Sequence, residues 1–160
     1  DASAASAIIG TLAHDATNIE VIRPNDAETW GLVNAGETAG WVALGFMARQ
    51  PGQFDSHFPE FTSCGGTEPF WSLDRNDGTA TLRIFLTERP ELTQPILFET
   101  GTVNHRHRYS FGTEGLVGVV SRQYCDDGMS DMEFGLELNL VLPGEGLHLQ
   151  GCCSIQPRAE

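Results

Sequence analysis

Apolar and polar residues alternate in short runs along this chain, and turn-forming residues separate the runs. The clearest run, residues 134–142, has the sequence Phe-Gly-Leu-Glu-Leu-Asn-Leu-Val-Leu, which places every second residue on one apolar face. Pro143 and Gly144 then predict a turn into a further strand at 147–155. No segment keeps a helical period for more than about two turns. The pattern therefore predicts an all-β fold.

The first fifty residues contain four predicted strands and two predicted turns. The strands lie at 8–12, 18–22, 29–33 and 40–44, and the turns at 23–26 and 34–37. The Trp30-x-x-Val33 and Gly40-Trp41-Val42 spacing resembles that of bacterial SH3-like (SH3b) domains. This resemblance implies a small β-barrel whose usual first strand, which carries Asn-Val-Arg, is missing here. It also makes Trp30 and Trp41 candidate contacts for a peptide or a cell-wall component, or else part of the barrel core.

A segment with Pro51, Gly52 and Pro59 follows and predicts a linker over residues 51–61, between a first unit at 1–50 and a second at 62–160. In the second unit, Asn76-Asp77-Gly78 predicts a hairpin turn between strands at 67–74 and 79–86. Further strands are predicted at 102–111 and 116–125. Six or more antiparallel strands in this unit predict a β-barrel or a β-sandwich.

The second unit also carries three motifs in order. They are Gly-Thr-Glu-Pro-Phe-Trp at 66–71, Cys-Asp-Asp-Gly-Met-Ser-Asp at 125–131, and Gly-Cys-Cys at 151–153. These motifs are similar to those of a family of uncharacterised bacterial envelope proteins and lipoproteins. The resemblance implies export and a β-barrel-like fold, but it implies no reaction and no ligand.

The four cysteines, Cys64, Cys125, Cys152 and Cys153, all lie in the second unit. None forms a Cys-x-x-Cys pair, so we expect two disulfides in an oxidising compartment rather than a structural zinc site; buried free thiols are the alternative. Adjacent residues of a strand point to opposite faces, so Cys152 and Cys153 should each bond a different partner. Cys125–Cys152 with Cys64–Cys153 is the preferred pairing, and the swapped pairing stays open.

The charge and the residue types argue against several classes of function and of partner. Nine Arg and no Lys stand against 22 acidic residues, which gives a formal charge of −13. Without lysine, Schiff-base catalysis, a phosphate-loop lysine and a Ser–Lys dyad are excluded. The negative charge argues against nucleic acid and against an anionic membrane surface as partners. No apolar run approaches the roughly 18–20 residues of a membrane span.

Several side chains are candidates for binding. Glu68 and Trp71 would contact a ligand at a strand entrance, or Glu68 would accept from loop amides while Trp71 fills the core. Asp127 and Asp131 lie in a loop with three carboxylates, whose spacing does not fit a calcium loop. The alternative to ligand binding is a structural role for that loop, as a tight turn whose side chains cap backbone amides.

The sequence Asn-His-Arg-His-Arg at 104–108 places two imidazoles on one face of a strand and two guanidinium groups on the other. His105 and His107 could form half of a metal site, although no further ligand lies nearby in the sequence. Arg106 and Arg108 are candidate anion contacts, but pairing with the acidic surface around them is favoured.

The sequence as a whole favours a non-enzymatic binding module that is exported to the periplasm or cell envelope. A cell-wall component, a peptide or another protein is the expected partner, and we expect no cofactor. Two alternatives stay open: a hydrolytic enzyme that acts on envelope material through clustered Asp and Glu, and a periplasmic metal-binding protein that uses His105 and His107.

Overall fold

Antiparallel strands account for nearly all the regular structure of the protein. A computed structural model describes residues 1–51, 58–102 and 105–155, with the backbone alone described for Thr102, His105 and Arg106. A three-stranded sheet contains β1 (Arg23–Pro24), β2 (Trp30–Ala35) and β3 (Thr38–Ala43). A nine-stranded sheet contains β4 (Ser63–Thr67), β5 (Phe70–Asn76), β6 (Thr79–Ile84), β7 (Leu92–Pro95), β8 (Phe98–Thr102), β9 (His105–Gly112), β10 (Val117–Cys125), β11 (Phe134–Leu142) and β12 (Leu147–Ser154). Two short 3-10 helices, Leu44–Phe46 and Pro143–Glu145, complete the described elements, so the all-β prediction is confirmed.

The nine-stranded sheet curls into a half-barrel with the strand order β7-β6-β5-β4-β12-β11-β10-β9-β8. Its two edge strands are consecutive in the chain, so a two-residue connection runs from one edge to the other. In this connection, the Leu97 N–H donates to the Gly112 carbonyl oxygen at 2.8 Å. The Gln94 side-chain oxygen of β7 accepts from the Thr113 hydroxyl at 2.6 Å and from the Gly115 N–H at 2.9 Å. These contacts hold the two edges of the sheet close to each other.

The core lies on the inner face of the curled sheet. Strand β11 supplies alternate residues to it, and Leu138 and Leu140 are fully buried. This strand has the bounds that the alternation in the sequence predicts. The predicted hairpin is also present, with Asp77 and Gly78 at positive φ (46° and 72°) between β5 and β6, as a tight hairpin turn requires.

The predicted linker contributes to this core. Phe61 is 3% exposed, and its ring centroid lies 5.7 Å from that of Phe111. Phe58 stacks on Tyr109 with a centroid separation of 5.4 Å. The last residues of the 51–61 segment therefore pack onto the second unit, while residues 52–57 lie outside the described residues.

Arg75 lies among these rings. The Arg75 guanidinium is 4.1 Å from the ring centroid of Phe61 and 5.3 Å from that of Phe111, and it forms an ion pair with Glu99. Burial, followed by the hydrogen bond with Glu99, raises the pKa of the neighbouring Tyr109 hydroxyl. Here a cation is held between aromatic faces and a carboxylate, which is a favourable arrangement for a guanidinium group.

The first unit agrees with the sequence prediction only in its later half. Strands β2 and β3 lie where strands are predicted, but residues 8–12 and 18–22 form no strand. Ile8 and Ile9 are 86% and 71% exposed, because no neighbouring strand covers them. Residues 23 and 24, predicted as part of a turn, instead pair with β2 as β1. The three-stranded sheet is therefore the described architecture here, and the SH3-like identity stays a prediction.

The two units contact each other through hydrogen-bonded side chains. The Asn34 amide donates to the Glu133 carbonyl oxygen at 2.8 Å and accepts from the Glu133 N–H at 3.1 Å. The Arg23 guanidinium lies 3.5 Å from the Glu133 carboxylate. Farther along, the Ser154 hydroxyl donates to the Glu20 carboxylate. This docking places Glu20 and Asn34 against the outer face of the nine-stranded sheet.

Candidate functional site

A cleft of about 510 Å³ lies where the first unit meets the outer face of β4 and β12. Its floor is made of small residues from these two strands, including Ser63, Gly65, Cys152 and Ser154. Cys64 and Cys153, their neighbours along the strands, are buried in the core on the opposite face. Because the floor residues are small, a cavity remains between them and the larger side chains around them.

Two phenylalanines form an aromatic wall on one side of the cleft. Phe70 begins β5 and Phe85 follows β6, and the Phe85 N–H donates to the Phe70 carbonyl oxygen at 2.8 Å. Their side chains are 42% and 46% exposed, whereas Trp71 is 2% exposed and belongs to the core as well as to the lining. Successive residues of a strand face opposite sides, and the exposures of Phe70 and Trp71 agree with this. Exposed rings beside a cavity are available to a ligand.

Asp127 lies on another side of the cleft and holds its own loop in place. Its carboxylate accepts from the N–H groups of Met129 at 3.0 Å and Ser130 at 2.9 Å, and from the Ser130 hydroxyl at 2.8 Å. Partial burial by itself would raise the pKa of Asp127, but the backbone and hydroxyl donors outweigh it and hold this pKa below its usual value. Asp127 is therefore ionised at neutral pH. The predicted capping role of this loop is confirmed.

The lowered pKa of Asp127 predicts a pH-dependent contribution to stability. A carboxyl group with a depressed folded-state pKa stabilises the fold above its unfolded pKa of about 3.9, and this stabilisation is lost as the pH falls through the folded pKa. We expect Asp127→Asn to lower the free energy of unfolding by up to about 1 kcal/mol at neutral pH, the net contribution of an ordinary hydrogen bond. Urea unfolding at several pH values should show this difference vanishing in acid. A difference that persists or grows in acid would contradict the role of the charge.

Several other predicted binding residues lie outside the cleft lining. Trp30 and Trp41 are half-buried in β2 and β3, and the Arg23 guanidinium lies 5.0 Å from the Trp41 ring centroid. Asp131 is exposed at the far end of its loop. Glu68 is exposed in a turn, because the strand predicted over 67–74 is in fact two strands, β4 and β5, joined at Glu68 and Pro69. Among the predicted binding residues whose side chains are described, only Trp71 and Asp127 line the cleft.

The predicted histidine and arginine residues lie on β9, away from the cleft lining. His107 and Arg108 are exposed, whereas the side chains of His105 and Arg106 lie outside the described residues. Across residues 1–51, 58–102 and 105–155, no group of three or more His, Cys, Asp or Glu side chains is placed to hold a metal ion. The described side chains give the predicted metal site no further ligand.

Both disulfides join β12 to another strand of the nine-stranded sheet. Cys64–Cys153 joins β4 to β12 with a Cα separation of 3.9 Å, and Cys125–Cys152 joins β10 to β12 with a Cα separation of 5.6 Å. The preferred pairing from the sequence is confirmed. Because Cys125 immediately precedes the Asp127 loop, the second bridge fixes the start of that loop beside the cleft floor.

Other lining residues do not stand out in the sequence. They come from separate segments and comprise Glu20, Asn34, Phe70, Phe85, Met132 and Phe134. A signal existed for Phe70 alone, since strand alternation puts it on the opposite face from Trp71. Glu20 and Asn34 reach the site only through the docking of the two units, which no local pattern encodes.

Comparison with known proteins adds no further assignment. No protein-family model, no curated protein and no solved structure matches this chain. Within the described residues, no helix is long and apolar enough to span a membrane. Function is therefore inferred from the residues and geometry of the cleft.

Proposed function

We propose that this protein is an exported bacterial envelope protein that binds a ligand in the cleft and does not act as an enzyme. The observation that carries the proposal is the pair of half-exposed rings, Phe70 and Phe85, which border a cavity of about 510 Å³. Small-ligand sites have volumes of about 300–1,000 Å³ and combine apolar walls with a few polar groups. The cleft matches this description, with Glu20, Asn34 and Asp127 among its polar members.

The state of the carboxylates favours binding over hydrolysis. A general acid or base must exchange its proton near the working pH, but the pKa of Asp127 is lowered and its oxygens accept three hydrogen bonds within its own loop. A hydrolytic site that used Glu68, Asp127 and Asp131 together would need these side chains to converge. Of these three residues, only Asp127 lines the cleft.

The disulfides support the proposed location outside the cytoplasm. All four cysteines are paired, and such bridges persist in oxidising compartments. Protein isolated from its native cells should therefore resist thiol alkylation until it is denatured and reduced. Labelling of denatured protein without a reductant would contradict the export proposal.

Ligand binding is tested by replacing the aromatic wall. We expect the double variant Phe70→Ala with Phe85→Ala to lose at least about tenfold in affinity, because exposed aromatic anchors dominate such sites. The probes are soluble peptidoglycan stem peptides and acetylated tripeptides with an acidic, neutral or basic central residue. Binding is followed by nuclear magnetic resonance shifts and by tryptophan fluorescence.

The matched control is Phe46→Ala, since Phe46 is 94% exposed and does not line the cleft. This variant should bind as the wild-type protein does. Urea unfolding of each variant separates lost binding from lost folding. The proposal fails if no probe shifts the resonances of the cleft residues, or if the double variant binds as tightly as the Phe46 control.

A further inference from the structure

We infer that the cleft binds the side chain of a lysine or arginine in a short peptide segment. This inference depends on the proposed function and specifies its ligand. The cleft combines ionised oxygen atoms with aromatic rings, and the peptide would supply the positive charge.

The charge of the lining is one-sided. The described lining residues include the carboxylates of Glu20 and Asp127 but no Arg or His, and the whole chain has no Lys. The described hydrogen bonds to Asp127 come from two N–H groups and a hydroxyl, which are dipoles and leave its formal charge in place. A cation entering the cleft would therefore gain a favourable interaction with a carboxylate that is already oriented.

The aromatic wall favours the same type of ligand. A ring face attracts an ammonium or guanidinium group, and the apolar stem of lysine or arginine packs against the ring while the charged head reaches farther. Phe70 and Phe85 are adjacent and about half exposed, so they offer a surface for such a stem.

The described residues show this combination at Arg75 and at Arg23. Arg75 lies over Phe61 and pairs with Glu99, while Arg23 lies over Trp41 and is 3.5 Å from the Glu133 carboxylate. Each time a guanidinium group meets both an aromatic ring and a carboxylate. The cleft presents the ring and the carboxylate on its walls, so a ligand would supply the cation.

The size of the cleft and the overall charge favour a peptide. A volume of about 510 Å³ exceeds that of one side chain and leaves room for the backbone on either side of it. The hydroxyl groups of Ser63 and Thr67 lie among the lining residues, where a peptide backbone could meet polar groups. The net charge of −13 would also attract a basic segment from a distance.

The test compares three acetylated, amidated tripeptides, Ala-Lys-Ala, Ala-Gln-Ala and Ala-Glu-Ala, by resonance shifts of the cleft residues. We expect the lysine peptide to bind about tenfold more tightly than the glutamine peptide, with the preference shrinking as salt is added. Asp127→Asn should remove most of this preference while it leaves binding of the glutamine peptide similar. Phe85→Leu should reduce the preference as well, because leucine is apolar but has no ring face.

Asp126→Asn is the matched control. Asp126 caps the same loop through a 2.7 Å hydrogen bond from the Gly128 N–H, but it does not line the cleft, so the preference should survive its substitution. Equal binding of all three peptides would overturn the cation assignment and leave the proposed function standing. Cadaverine binding as tightly as the lysine peptide would overturn the assignment to a peptide. If no probe binds at all, both the cation assignment and the proposed function fail.

Discussion

Replacing Cys64 and Cys153 together by alanine is expected to lower the free energy of unfolding by about 4–5 kcal/mol, because this bridge closes a long loop. The two cysteines are separated by 89 residues in the sequence, so the bridge restricts much of the unfolded chain. Both are also buried in the core, at 2% and 0% exposure, so the smaller alanine side chains leave space there. A small domain has a total stability of about 5–15 kcal/mol, so this variant should be close to unfolding at room temperature.

The second bridge provides the matched control. Cys125 and Cys152 are separated by only 27 residues, so removing both should cost less, about 3–4 kcal/mol. Urea unfolding followed by tryptophan fluorescence measures both double variants under the same conditions. If the Cys125–Cys152 variant is the less stable of the two, the loop-length explanation is wrong.

Local geometry predicts one feature of the cysteine pairing, namely that Cys152 and Cys153 bond to different partners, because neighbouring residues of a strand point to opposite faces. The structure places Cys153 in the core opposite Cys64 in the register of β12 and β4, while Cys152 lies on the cleft side. The sequence left the swapped pairing open, because strand order and register depend on contacts between distant segments.

The difference between local pattern and contacts with distant segments also explains which strands were predicted correctly. Phe134–Leu142 alternates through nine residues and is paired on both sides, so its pattern and its environment agree. Residues 18–22 also alternate, but they form no strand. The Ile22 N–H donates to the Leu32 carbonyl oxygen at 2.8 Å, and the strand β1 begins just after it. Alternation predicts which face of a segment is apolar, whereas a strand also needs a neighbour, which alternation does not supply.

The candidate site was harder to predict than the fold. Trp71 and Asp127 stood out because they lie in distinctive motifs, and both line the cleft. The aromatic wall depends on Phe70 and Phe85 becoming neighbours across β5 and β6, and the opposite wall depends on the docking of the first unit. Residues far apart in sequence form this site, so its composition becomes apparent only from the tertiary structure.

The glycine of the last motif is expected to be nearly irreplaceable, because β12 approaches β4 closely at this point. A Cβ atom on Gly151 would overlap the Gly65 carbonyl oxygen, and it would lie 2.6 Å from the Gly65 carbonyl carbon and 2.8 Å from Cζ2 of Trp71. The strand backbone and a buried indole would both have to move. We therefore expect Gly151→Ala to lower the free energy of unfolding by about 3 kcal/mol, at the upper end of overpacking effects.

Gly144→Ala is the matched control, since a Cβ there meets nothing within 4 Å. Its stability should be unchanged or raised by up to about 1 kcal/mol, because alanine restricts the unfolded chain more than glycine does. Urea unfolding measures both variants, and the emission of Trp71 should shift for Gly151→Ala alone. Equal stability of the two variants would show that β12 and β4 can separate without cost. The cleft floor, which these strands form, would then be a less rigid base for a ligand than the close approach of Gly151 and Gly65 implies.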